Sequence, residues 1–112
     1  MIKALSIQVQ PRLVQGLDIG AIQAACETIA DMPLVVRHHF DQGHDTAHYF
    51  NFTFGTEDLA ALWREIQSRL YSDAQLGDAM GAASMATGEG SRGWDDYLLL
   101  YHFDPTVERD AL

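Results

Sequence analysis

Leu34, Val36, His38 and Phe40 recur at every second position, and so do His48, Phe50, Phe52 and Phe54 a little further on. Arg37, His39 and Asp41 alternate with the first set, and Tyr49, Asn51 and Thr53 with the second. A period of two sends one set to each face of a pleated strand. The run between them, Asp41-Gln42-Gly43-His44-Asp45, is rich in turn formers. The pattern predicts a hairpin with strands over 34–40 and 46–54. An antiparallel sheet with one apolar and one polar face is thus the frame that the rest of the chain must fit.

Two more stretches read as strands. Leu5, Ile7 and Val9 alternate with Ala4, Ser6, Gln8 and Gln10, and Pro11 ends the run because proline cannot donate to a ladder. Over 95–103, Tyr97, Leu99, Tyr101 and Phe103 alternate with Leu98, Leu100 and His102. Both sets are apolar enough to predict a central place in the sheet. Two helices are expected. Asp18 caps the first, whose stripe is Ile19, Ile22, Cys26 and Ile29, and Met32-Pro33 closes it. Thr56 is the expected cap of the second, with Glu57 and Asp58 in its first turn and Leu59, Leu62, Trp63, Ile66 and Leu70 as its stripe. Residues 71–81 should break at Gly77, residues 82–87 read as weak strand or loop, and the tail from Asp104-Pro105 reads as exposed.

The expected fold is α+β, a single domain over residues 1–112. Its order, β-α-β-β-α-(β)-β, resembles the ferredoxin-like split β-α-β sandwich: an antiparallel sheet of four to five strands with two helices on one face. That architecture hosts many functions and assigns none.

Charge narrows the partners. Sixteen acidic residues face seven basic ones, a formal net charge of −9 in 112 residues. Such a field repels phosphate backbones and anionic lipid, so neither nucleic acid nor membrane is expected as a partner. It favours a basic protein. Eight acidic residues and only two arginines lie from Asp73 onward, which places six of the nine net negative charges there. Met1–Pro11 has the features of neither a signal peptide nor a membrane span, and the one cysteine, Cys26, can form no internal disulfide. A cytoplasmic protein with a buried structural thiol is the expectation.

Gly88-Glu89-Gly90-Ser91-Arg92-Gly93 fits the pattern G-x-G-x-x-G. A dinucleotide site needs a helix after the last glycine to hold the pyrophosphate. Trp94–Phe103 reads as strand, so the segment is expected to be a turn. His38, His39, His44 and His48, with Asp41 and Asp45, are competent metal ligands by type. Adjacent histidines on a strand point to opposite faces, however, and no metal site or cofactor is expected from this spacing.

Two functional readings follow. The first is a protein-binding module that docks a basic partner through Glu89, Trp94, Asp95 and Asp96, and it resembles small acidic inhibitors and immunity proteins in composition. The second is a dimeric enzyme or ligand-binding protein whose polar sheet face gathers Arg37, His39, Tyr49, Asn51 and His102. There a histidine would move protons and Arg37 would hold a carboxylate. No catalytic residue is assigned, and whether the chain is an enzyme stays open between the two.

Overall fold

A computed structural model describes residues Met1–Leu112. Five strands form one antiparallel sheet: β1 (Lys3–Val9), β2 (Arg37–His44), β3 (His48–Thr56), β4 (Ser84–Gly90) and β5 (Gly93–Tyr101). Their spatial order is β2-β3-β1-β4-β5. Three helices accompany them: α1 (Ile19–Ala30), α2 (Leu59–Ile66), continued by a π-helical turn over Gln67–Tyr71, and α3 (Gly77–Ala83).

Register explains the core. Leu5, Ile7 and Val9 pair with Phe54, Phe52 and Phe50 on one side of β1, and with Gly88, Ala86 and Ser84 on the other. These residues share one face. Ile22, Cys26 and Ile29 of α1, Leu62 and Ile66 of α2, Leu70 and Met80 join Leu5, Ile7, Val9, Phe52, Phe54, Ala86 and Leu100 in a single buried cluster. The helical stripes therefore all lie against that one face of the sheet. On the other face Ser6 bonds Thr53 at 3.0 Å, and Gln8 and Asn51 remain half-buried.

Several expectations need correction. The run over 95–103 does not sit centrally. β1 is the central strand and β5 lies at an edge. Of its second apolar set, Tyr97 is exposed, Leu99 is bonded by the C-terminal tail, and a register shift at Ala86–Thr87 turns Tyr101 to the core side, where it packs on Tyr71. Asp110 N–H donates to the Leu99 carbonyl at 2.7 Å, Leu99 N–H donates to Asp110 Oδ2 at 2.8 Å, and Arg109 lies 4.7 Å over the Tyr101 ring. The tail is thus solvent-facing but bonded, and it satisfies part of an edge that would otherwise invite strand addition. Thr106 N–H and Oγ1–H both donate to Asp104, which holds that carboxyl below the usual carboxylate range.

The hairpin turn falls later than expected, at 45–47, because β2 runs on to His44 and pairs it with His48. Gly43 serves the sheet there, since the Tyr49 phenol lies across the space that a Cβ would fill. Asp58 rather than Thr56 caps α2, accepting from Ala61 N–H at 3.0 Å. Thr56 ends β3, fully buried, and its hydroxyl accepts from Asp58 N–H. The break falls over 72–76 and not at Gly77, which opens a third helix, and the ambiguous stretch 82–87 divides between the end of that helix and β4.

Cys26 has no exposed surface, and burial pushes its thiol up to about 12 from a usual 9.0. Burial also pushes the Tyr71 phenol up, against its hydrogen bond with Ser84. Both groups hold their protons more tightly folded than unfolded. Their share of stability is complete below pH 9 and drains away as pH rises towards 12. Each should cost about 1.4 kcal/mol per pH unit inside its window. The urea midpoint is expected to hold steady from neutrality to the unfolded thiol's range and then fall. A thiol reagent should label Cys26 in urea and not in the native protein; stoichiometric native labelling would contradict this burial.

Candidate functional site

Two surfaces carry the residues singled out above: the β4–β5 corner of the sheet, and the polar face of β2 and β3, which runs from Arg37, level with Ala4, to the β2–β3 turn. The β4–β5 turn lies beyond the Leu5 end of β1, on the β5 side. The β2–β3 turn lies beyond the Val9 end, on the β2 side.

At the first corner, Gly90 pairs with Gly93 around the two-residue turn Ser91-Arg92. Gly93 takes φ +79°, a conformation that favours glycine. The last glycine of the G-x-G-x-x-G pattern thus leads into a strand, but the turn is shorter than expected, since Gly88, Glu89 and Gly90 belong to β4. The next pair is Gly88 with Leu98. Four residues of β5, Trp94 to Tyr97, therefore stand opposite the single residue Glu89. Such an excess bulges a strand outward and re-aims its side chains. Gly90 is obligatory in this arrangement, because the Asp96 carbonyl occupies the place of any Cβ there. The bulge leaves Trp94 48 % and Tyr97 57 % exposed, with Asp95 also exposed.

The four residues expected at this surface are not equivalent. Trp94, Asp95 and Asp96 sit together on the bulge. Asp96 accepts from Ser91 Oγ at 3.0 Å and lies 3.9 Å from Arg92, which keeps part of its charge local. Glu89 Oε1 accepts from Ala4 N–H at 3.0 Å, just past the last β1–β4 pair, so it clamps the strand end. Tyr97, which in sequence is one position of an alternating strand, stands exposed on the same bulge.

The polar sheet face carries a connected ladder of side chains. Arg12 donates to Gln10 Oε1 (3.3 Å), Gln10 Nε2 to Gln8 Oε1 (2.9 Å), Gln8 Nε2 to Asn51 Oδ1 (3.5 Å), and Asn51 Nδ2 to Asp41 Oδ1 (3.2 Å). His39 Nε2 reaches the other Asp41 oxygen at 3.1 Å. Guanidinium can only donate and carboxylate only accept, so the three amides between them must all point one way. Bonds aligned head to tail polarise one another. Gln8, Gln10 and Arg12 carry no signal of this in sequence, where they read as the frayed end of a strand.

Of the residues expected on that face, His39 and Asn51 meet at Asp41. Arg37 lies beside them, its stem crossing Gly55. Tyr49 stands at the hairpin end over Gly43. His102 is not brought in: it follows β5, four strand spacings from β2, or roughly 19 Å. Its Nδ1 accepts from Asp104 N–H instead. The hollow beside His39, lined by Arg37 and Thr53, is about 140 Å³, below the roughly 300 Å³ at which ligand pockets begin. Tyr49 lines a different and larger hollow. The His39 side chain is 75 % exposed, so its pairing with Asp41 is bathed in water. No three His, Cys, Asp or Glu side chains converge in a metal-binding group, and no helix is long and apolar enough to cross a membrane. No protein family, curated protein or solved structure gives a significant match to this chain.

Proposed function

We propose that this chain is a small acidic protein-binding module, of inhibitor, immunity or regulatory type, that docks a basic partner on the β5 bulge. The observation that carries the reading is the pairing of two half-exposed aromatics, Trp94 and Tyr97, with Asp95 and Asp96 on one protruding stretch. Aromatic anchors supply most of the energy of protein interfaces, and surrounding charge sets partner choice and encounter rate. An arginine-bearing partner satisfies both at once, with a guanidinium over an indole face and a carboxylate beside it. The tail already bonds β5 at Leu99, which favours docking by side chains over addition of a strand.

The strand order supports a ferredoxin-like reading of the frame. β1 and β2 are both antiparallel to β3 and enclose it, while β3 and β4 enclose β1. Those are two interleaved split β-α-β units, with β5 added outside β4.

A hexa-arginine peptide is a sufficient probe. Replacing Trp94 by Ala should weaken its binding about tenfold, the middle of the range for a partly desolvated cation–π contact. In the unmodified protein the Trp94 indole N–H resonance should shift on titration, while that of Trp63, packed 5.6 Å from Tyr71, should not. Equal shifts at both indoles, or unaltered affinity in the variant, would remove the bulge from the account.

A further inference from the structure

The largest hollow in the molecule lies at the other corner, where the end of β1 meets the β2–β3 turn. It measures about 440 Å³ and is lined by Gln8, Gln10, Arg12, His44, Asp45, Thr46, Ala47, His48 and Tyr49. That volume falls within the range of small-ligand sites, roughly 300–1,000 Å³. Its walls are mostly polar, which excludes an apolar ligand. Two permanent charges line it, Arg12 from the turn after β1 and Asp45 from the hairpin turn. They come from different segments, and neither forms an ion pair with any residue. Arg12 gives one bond to the neutral Gln10 amide and keeps its remaining donors. Asp45 receives no side-chain hydrogen bond, and its turn is closed by its backbone N–H donating to the Ala47 carbonyl.

The charges decide what the hollow takes. A simple anion would gain Arg12 but meet Asp45 and the net field of −9. A simple cation would gain Asp45 but meet Arg12. A molecule bearing both charges, several bonds apart, gains both. We infer that this hollow binds a small zwitterion of amino-acid type, its carboxylate on Arg12 and its ammonium on Asp45. His44, His48 and Tyr49 are among the other lining residues, and their resonances report occupancy. The site is independent of the β5 bulge.

The test uses 4-aminobutyrate, with butyrate and butylamine as single-charge molecules of the same length. Imidazole resonances of His44 and His48 are followed by NMR through each titration of the full chain. The expected result is millimolar binding of 4-aminobutyrate and at least about tenfold weaker binding of either single-charge molecule. Arg12→Gln and Asp45→Asn, both at exposed positions, should each cost about tenfold and leave the fold intact, and Trp94→Ala should cost nothing. Butyrate binding as tightly as 4-aminobutyrate, wild-type affinity in either charge variant, or no shift at about 50 mM ligand would overturn the inference.

Discussion

Replacing Phe54 by Ala should cost about 3–5 kcal/mol of folding stability, a large part of the 5–15 kcal/mol typical of a domain. Phe54 has no exposed surface. It stands opposite Leu5 on the central strand and opposite His38 on the edge strand. Phe40 meets its ring edge-on at 5.6 Å. Helical side chains in the same buried cluster close the far side of the core, so neighbours pinned by two strand registers can relax only partly into the vacancy. With about 1–3 kcal/mol per molar urea as the slope, the midpoint should drop by at least about 1 M. Phe50→Ala is the internal comparison. Phe50 shares the face but sits half-buried near the hairpin end, and its loss should cost clearly less. Equal costs would mean that the core is not centred where β1 and β3 pair.

Much of this core was legible because its side chains are large and alternate. Leu5, Ile7 and Val9 and the phenylalanines of β3 announce their face by type alone. The Asp18 cap was legible too, since a carboxylate before an apolar stripe has few other uses; it accepts from Ala21 N–H at 3.0 Å. β4 was obscure for a reason visible in its packing. Its inward residues are Ser84, Ala86, Gly88 and Gly90, small because other side chains fill their places. Leu59 and Leu100 occupy the space beside Gly88. Ser84 is buried, with its hydroxyl 2.6 Å from the Met80 carbonyl and 2.7 Å from the Tyr71 hydroxyl. A strand that donates space instead of volume shows no hydrophobic period. β5 misled in the opposite sense, because register shifts bring Leu98, Leu100 and Tyr101 alike to the core, so that both alternating sets are apolar. The acidic character of the candidate surface was plain in the sequence. Its shape was not, since the bulge depends on the backbone contact between Gly90 and Asp96 and on no local pattern.

Docking on the bulge depends on where the negative charge lies, and not on total charge alone. Reversing Asp95 and Asp96 to Lys should weaken hexa-arginine binding by about a hundredfold, because like charges facing one another across a contact cost several kcal/mol. Asp95 supplies most of that effect, as Asp96 is already partly engaged by Ser91 and Arg92. Glu27→Lys with Asp31→Lys changes net charge by the same amount at exposed positions on α1 and its C-cap. Screening over about 8 Å at physiological ionic strength should confine each effect to its own surroundings. The decisive measurement is therefore the affinity of the same peptide for both double variants at that ionic strength. A hundredfold loss in the β5 variant beside a near-unchanged α1 variant is the predicted result. Equal losses in the two would contradict a docking site on the bulge.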